Sequence, residues 1–400
     1  MSARPRVALL SREYPPEVYG GAGVHVEHLA RSLAAYADVA VHCFGKPRQD
    51  PLVAATYEPW ESLAGEAPEL AALRTFSVDL AMAAGVGDVD LVHSHTWYAN
   101  LAGHLWKLTN GRPHVMTAHS LEPLRPWKRE QLGGGYELSR FAERTAIEAA
   151  DAVIAVSGGM RDDIMRCYPA VDPDRVHVVH NGIDPDVYRP VEGSDVLAAH
   201  GLDPDRPVVL FVGRITRQKG LPHLLDAALE LEPEAQLVLC AGEPDTVELG
   251  REVRAHVEAL TGQRDGVVWI EDMLPRDDLV QLLSHATVLV CPSVYEPFGL
   301  VNVEAMACGT AVVASAVGGI PEIVVEGETG CLVPFATGED GSSPADPEAF
   351  AHGLAERVNE LVRDQDRAAR FGEAGRARVL ERFTWRAIAE RSTEIYRRLL

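Results

Sequence analysis

Cysteine is scarce and shows no pairing pattern: six residues in 400 (43, 167, 240, 291, 308 and 331), none spaced C-x-x-C. This argues against a zinc ribbon or a dithiol redox motif, and four of the six sit in or beside apolar runs, where a thiol acts as a small hydrophobe. Positive charge is also short. Against 37 Lys and Arg stand 59 Asp and Glu, a net charge of −22. Nucleic acid and anionic membrane surfaces select basic patches, so neither is expected as a partner. An anionic small molecule remains admissible, because it needs only a local basic pocket. No apolar run is long enough for a bilayer and no leader pattern is visible, so the expectation is a reduced, cytoplasmic protein. Internal repeats, low-complexity tracts and the P-loop pattern are missing as well.

What is present is enough apolar residue, 46%, for a large core, in a chain longer than the roughly 250–300 residues at which one core stops growing. Two domains are therefore expected. Strand-like runs at 6–11, 39–44, 89–95, 115–119, 153–157 and 176–180 alternate with helical spacing in most of the gaps. The same holds for runs at 208–212, 236–241, 267–271, 288–292 and 311–315. Such alternation predicts α/β domains built on doubly wound parallel sheets. Residues 181–207, rich in proline and aspartate and without sustained periodicity, read as the joint. The boundaries fall at 1–184 for a first domain, 185–206 for a linker, 207–382 for a second domain and 383–400 for a last amphipathic segment.

In such sheets ligands bind beyond the carboxyl ends of the strands, so the residues standing there are the candidates. After the first run comes REYPPEVYGGAG, where Gly20, Gly21 and Gly23 would let backbone approach a phosphate. Val26 stands where the third glycine of a dinucleotide fingerprint would be, and a flexible turn is the plain alternative. His95, His119 and Asn181 lie at the ends of later runs. His93 and His95 project from one strand face, but no third ligand of suitable spacing is evident, so no metal is expected. Of the D-x-D triplets at 88–90, 172–174, 184–186 and 203–205, the last three hold proline and read as turns. Arg125, Lys128 and Arg129 form the tight basic cluster of the first half, either a solvated helix start or a site for an acidic acceptor. In GRITRQKG, Arg214 and Lys219 follow the strand at 208–212 and suit a diphosphate whose charge rises as a bond to it breaks. Residues 271–274, EDML, are placed to lie beside a base.

The stretch PSVYEPFGLVNVEAMACGTAVVASAVGGIP, 292–321, concentrates these features. An apolar run precedes it, Pro297 and Gly299 break the chain, and 300–307 reads as a short helix ended by Gly309. That order aims backbone N–H groups and a positive helix end at a ligand. Glu296 and Glu304 frame the turn. On one continuous helix they would stand about 80° apart, at roughly 100° per residue. The break puts Glu296 in the loop, so both can face one ligand, and a carboxylate accepts well from sugar hydroxyls.

Glu296 and Glu304, with EPFGLVNVEAMACGTAVVAS around them, resemble the paired-glutamate motif of retaining family-4 glycosyltransferases. EYPPEVYGGAGVHVEHLARSLA, HSHTWYANLAGHL, TAHSLEPLRPWK, EAADAVIAVS, HNGID and GRITRQKG fit the same family, so the resemblance covers nearly the whole chain. It implies the GT-B fold: two Rossmann-like doubly wound parallel-sheet domains facing a cleft, with a C-terminal helix crossing back to the first. It implies catalytic roles for His119 and Glu296, and donor binding by Gly21, Arg214, Lys219, Phe298, Gly299, Leu300 and Glu304. It implies no metal and no cofactor beyond a nucleotide-sugar donor.

Within the family the chain is most similar to actinobacterial glucosyltransferases that join glucose from ADP-glucose to glucose 1-phosphate, giving α-maltose 1-phosphate. Thr96 stands where the usual bacterial glycogen synthases carry Asp, and Phe298 where they carry Cys. Extension of an α-1,4-glucan from the same donor is the alternative. A sugar-nucleotide epimerase or a non-catalytic binding protein on this fold is disfavoured by the presence of both glutamates, both phosphate cations and His119. A lipid-directed enzyme would want a basic amphipathic helix, which the short Arg125–Arg129 cluster and the net charge oppose. The oligomeric state stays open, a homodimer included.

Overall fold

The computed structural model describes residues 4–65, 67–242, 244–339 and 343–400. By its contacts the chain forms two compact units, Met1–Gly182 with Trp385–Leu400, and Ile183–Thr384.

The first unit is a seven-stranded parallel sheet of β1 (Arg6–Ser11), β2 (Asp38–Phe44), β3 (Val53–Tyr57), β4 (Leu91–His95), β5 (His114–Ala118), β6 (Ala152–Ala155) and β7 (Val176–Val178). Their spatial order is β3-β2-β1-β4-β5-β6-β7. Helices cover both faces, so the central strands β1, β4, β5 and β6 are buried almost throughout rather than alternating between buried and exposed. Along β1, Val7 and Leu9 enter a core with Leu29 and Leu33, while Ala8 and Leu10 pack with Val78, Met82 and Trp106 on the other face. The closing helix Trp385–Leu399 buries Trp385, Ile388, Ala389, Ser392, Ile395 and Tyr396 at helical spacing and packs on the helix Gly21–Leu33. The chain's end thus returns to the first unit. Gly182, in HNGID, makes room for it: a Cβ there would stand 2.7 Å from the Trp385 ring.

The second unit has six parallel strands: β8 (Val208–Val212), β9 (Gln236–Cys240), β10 (Val267–Ile270), β11 (Val288–Cys291), β12 (Ala311–Ser315) and β13 (Gly330–Val333). Their order is β10-β9-β8-β11-β12-β13. Val209, Phe211, Leu237, Leu239, Val288, Val290 and Val313 face one core shared with the helices Leu221–Ala227, Val247–Thr261 and Pro347–Arg363. Residues 185–206 pack on this unit and include a short helix, Asp195–Ala199, whose Val196 N–H donates to Gln281 Oε1 at 3.2 Å.

Two strands escape the sequence reading. β3 is a partly exposed edge strand, VAATY, with a register irregularity against β2, and β13 has four residues beginning with glycine. Neither offers a run of apolar residues long enough to stand out. Each sheet has a point where strand order reverses: between β1 and β4 in the first unit, and between β8 and β11 in the second. Loops leaving adjacent strands at such a point diverge to opposite faces and open a crevice for a ligand.

Candidate active site

The candidate residues fall into two groups, one per unit. In the second unit the loop after β8 carries Lys219 and the loop after β11 carries Glu296. Lys219 Nζ lies 2.7 Å from Glu296 Oε2, which also accepts from the Ser293 hydroxyl at 3.2 Å. Burial alone would depress the Lys219 ammonium, but the charge of Glu296 and its hydrogen bond hold it above its ordinary value. The close approach of the loops needs glycine. At Gly220 (φ +65°) a Cβ would stand 2.0 Å from the Pro292 carbonyl, and at Gly318 (φ +53°) it would stand 1.9 Å from that of Glu296. The Gly319 N–H also donates to the Glu296 carbonyl at 2.9 Å.

Gly299, at φ +107°, caps the helix Leu300–Ala307, which has the bounds read from sequence. Its first turn presents backbone amides that have no partner within the helix. Glu304 lies one turn in. Burial pushes its carboxyl above the usual range, against the hydrogen bond donated by the Tyr188 hydroxyl and the charges of Lys219 and Arg276. Phe298 contributes backbone rather than ring to this turn: its side chain is buried edge-on against Phe383, centroids 5.9 Å apart. Arg214 Nη2 is paired with Asp245 at 2.7 Å. In the EDML segment, Glu271 is held by both terminal nitrogens of Arg254, which stacks on Trp269.

In the first unit three histidines meet where β1, β4 and β5 give way to loops and helices. His95 Nδ1 stands 3.1 Å from His119 Nε2, and His25 Nδ1 is 2.8 Å from Asn181 Oδ1. The Nε2 atoms of His25 and His95 are buried without a partner. Burial pushes His25 down to about 4 and His95 and His119 well below the ordinary value, and for the last two the neighbouring imidazoles act in the same direction. All three are therefore neutral at pH 7. They can bond to sugar hydroxyls as donor or acceptor, according to tautomer.

Their ligating atoms lie within 4.8 Å of one another, a donor set that could hold a metal ion such as zinc. The sequence reading found no third ligand beside His93 and His95, and here it is corrected. His25 is the third member, brought in from the helix Gly21–Leu33, while His93 stands outside the group. Both His93 nitrogens are taken, by the Tyr396 hydroxyl at 2.7 Å and the Thr117 hydroxyl at 2.7 Å.

Gly21 begins its helix, and the amides just before it, Tyr19 and Gly20, donate to Glu13 Oε2 at 2.8 and 3.0 Å. Thr96, between His95 and the helix Trp97–Asn110, has φ 63° and ψ 163°. That region belongs to glycine and costs other residues about 1–3 kcal/mol, a strain typical of functional sites. The basic cluster has local partners. Arg125 reaches Ser120 at 3.1 Å and lies 3.8 Å from buried Glu122, Lys128 donates to Gln131 at 2.5 Å, and exposed Arg129 pairs with Glu137 at 2.7 Å. A concavity of about 750 Å³ lined by Arg4, Tyr36, Asp90, Arg112 and Arg397 opens at the amino ends of β1, β4 and β5, the opposite end of these strands from the histidines.

Two family models match in succession: Glycosyltransferase Family 4 over residues 19–187 and Glycosyl transferases group 1 over residues 195–378. The sequence is 58% identical to the alpha-maltose-1-phosphate synthase of Mycolicibacterium smegmatis, over 98% of this chain and 99% of that one. It is 54% identical to the protein of that name from Mycobacterium tuberculosis, with the same coverage. The fold is similar to sucrose-phosphate synthase from Thermosynechococcus elongatus, with a TM-score of 0.77, 30% identity and 99% of both chains covered. This chain is a family-4 glycosyltransferase. Its two Rossmann-like sheets and returning C-terminal helix are the GT-B fold.

Several residues of this glycosyltransferase site were invisible to sequence reasoning. Tyr188 comes from the stretch read as linker and has no motif to mark it. Asn302 is fully buried beside Gly299, with both side-chain polar atoms unpartnered. His25 sits on the buried face of an amphipathic helix, where a histidine usually belongs to the core.

Proposed function

We propose that the enzyme transfers glucose from ADP-glucose to glucose 1-phosphate with retention of anomeric configuration, giving α-maltose 1-phosphate. The observation that carries the donor half is the Lys219–Glu296 pair at the crevice of the second sheet. The acceptor half is supported by the relatives named alpha-maltose-1-phosphate synthases.

Breaking the glycosidic bond leaves negative charge on a diphosphate and positive charge on the sugar. Lys219, kept protonated by Glu296, and Arg214 offset the first. Amides of the turn at Gly299 and Leu300 add fixed dipoles. Glu296 accepts from glucose hydroxyls as Lys219 turns to phosphate, and Glu304, held by Tyr188, accepts from the ribose. His119, neutral and oriented by His95, bonds to the sugar without adding a positive charge that would oppose the developing one. These groups supply the charge stabilisation without a metal ion, and none is assigned. Among the described residues no helix is long and apolar enough to cross a membrane, which accords with work in the cytoplasm on small dissolved substrates.

The test is a donor series. With ADP-, UDP- or GDP-glucose and glucose 1-phosphate, ADP-glucose is expected to turn over fastest, and the product's new linkage to show an α-anomeric proton by NMR. A β-linked product would overturn retention, and faster turnover of another nucleotide sugar would overturn the donor.

A further inference from the structure

We propose that Arg12 is the cation that binds the phosphate of the acceptor sugar, held in place by the ring of Tyr98; this rests on the reading of glucose 1-phosphate as acceptor. Arg12 follows β1 directly, and Tyr98 lies in the first turn of the helix after β4. β1 and β4 are hydrogen-bonded neighbours, with Leu10 opposite Ser94, at the strand-order reversal of the first sheet. The two residues therefore face each other across the crevice where a doubly wound sheet takes its ligand. The Arg12 guanidinium carbon lies 4.2 Å from the Tyr98 ring centroid and 5.8 Å from that of Tyr19.

Arg48, after β2, has a carboxylate at 2.8 Å, that of Glu17. Arg12 makes no hydrogen bond or ion pair among the described residues. Both nearby loop carboxylates are already engaged: Glu13 accepts the amides of Tyr19 and Gly20, and Glu17 pairs with Arg48. The contact with Tyr98 sets the guanidinium's charge over the ring and uses none of its hydrogen bonds, so the N–H fork that matches a phosphate is unspent. The site is built as well as placed: strained Thr96 delivers Trp97 and Tyr98, whose rings stack with centroids 4.1 Å apart. The donor's diphosphate has its own cations in the second unit, Lys219 and Arg214. A second phosphate, on the acceptor, is the anion left for a cation in the first.

The experiment compares wild type with Arg12→Met and Arg12→Lys, each checked for an unchanged melting temperature. The KM for glucose 1-phosphate and the Kd for ADP-glucose are measured separately. Arg12→Met is expected to raise the KM by at least about tenfold, the scale of one charge-assisted contact, and to leave the Kd for ADP-glucose within twofold. Arg12→Lys, which keeps the charge and loses the planar fork, falls between. Tyr98 is a positioning residue: Tyr98→Leu is expected to raise the same KM with kcat retained, and Tyr98→Phe, which keeps the ring face, to restore it. Turnover of methyl α-glucoside, a neutral acceptor, is expected to gain on glucose 1-phosphate in Arg12→Met. An unchanged KM in Arg12→Met, with wild-type protein active on glucose 1-phosphate, overturns this proposal alone. A weakened Kd for ADP-glucose with unchanged acceptor KM also overturns it and gives Arg12 to the donor. Wild-type protein that makes no product from glucose 1-phosphate overturns the functional reading and this proposal with it.

Discussion

Lys219 and Glu296, 77 residues apart in sequence, meet at 2.7 Å across the strand-order reversal of the second sheet. The cation expected to face the leaving diphosphate and the carboxylate expected to face the sugar thus hold each other. Two glycines with positive φ, Gly220 and Gly318, allow the backbone approach that makes this contact.

Lys219→Met is expected to lower kcat/KM by at least about tenfold, the scale of losing one charge-stabilising contact. Arg214→Ala is expected to do the same. Because Glu296 raises the Lys219 pKa, the ammonium's contribution to folding and binding is fully present below its ordinary value of 10.5 and fades only as pH rises past that point. Steady-state kinetics from pH 7 to 9 should show no loss assignable to Lys219. Near-normal turnover in both variants, with the fold intact, would remove the phosphate assignment.

The two glutamates are expected to separate in kinetics. Glu304→Ala acts mainly through donor affinity, and Tyr188→Phe, which deletes the hydroxyl that orients Glu304, shifts the same constant more weakly. Glu296→Ala lowers turnover itself. Isothermal titration with ADP-glucose beside saturating-donor kinetics checks this, and Glu296→Ala with wild-type kcat would contradict it.

The helix carrying Glu304 was legible because Pro297 and Gly299 interrupt the chain and Gly309 ends it, local chemistry that fixes bounds in any fold. The doubly wound sheets were legible for a similar reason, since strands buried on both faces must be apolar throughout. The site's supporting residues were not. Tyr188, His25 and Tyr98 owe their roles to neighbours far along the chain, and no spacing announces such contacts. The basic cluster is the converse case: Lys128 and Arg129 are prominent in sequence, and only the fold shows that Lys128 donates to Gln131 and Arg129 to Glu137.

It follows that neutralising Lys128 and Arg129 together is expected to raise the KM for glucose 1-phosphate less than Arg12→Met does. Arg125, half-buried beside Ser120, stands between the two cases. An equal or larger effect of the Lys128/Arg129 double variant in acceptor titrations would restore the cluster to the acceptor site.

Glu143 gives a pH test of the first unit. Its carboxyl accepts the Glu122 N–H and the Tyr168 hydroxyl, and burial together with the charge of Glu122 pushes it up to about 8. A carboxyl raised in the folded state favours folding below its ordinary value of 4.5 and loses that advantage as pH rises toward 8. The buried histidines act in the opposite direction only as pH rises to 6.5, while Asp79, a carboxyl also raised by burial, acts in the same direction as Glu143, so between 6.5 and 8 the difference between wild type and variant isolates Glu143. Melting temperature is expected to fall across that window in wild type and to fall less in Glu143→Gln. Parallel curves would contradict the assignment.

Chelation separates the two uses of the histidine cluster. Turnover is expected to persist in EDTA, with His25, His95 and His119 acting as neutral hydrogen-bonding groups. Loss of activity that added zinc restores would make the cluster a metal site.

The central claim is the acceptor, and one reaction tests it most directly. Protein incubated with labelled ADP-glucose, in the presence of glucose 1-phosphate and glycogen together, is expected to place the label in α-maltose 1-phosphate and leave glycogen unlabelled. Label carried into glycogen, with no disaccharide phosphate formed, would contradict the account and make this enzyme a glucan-extending synthase.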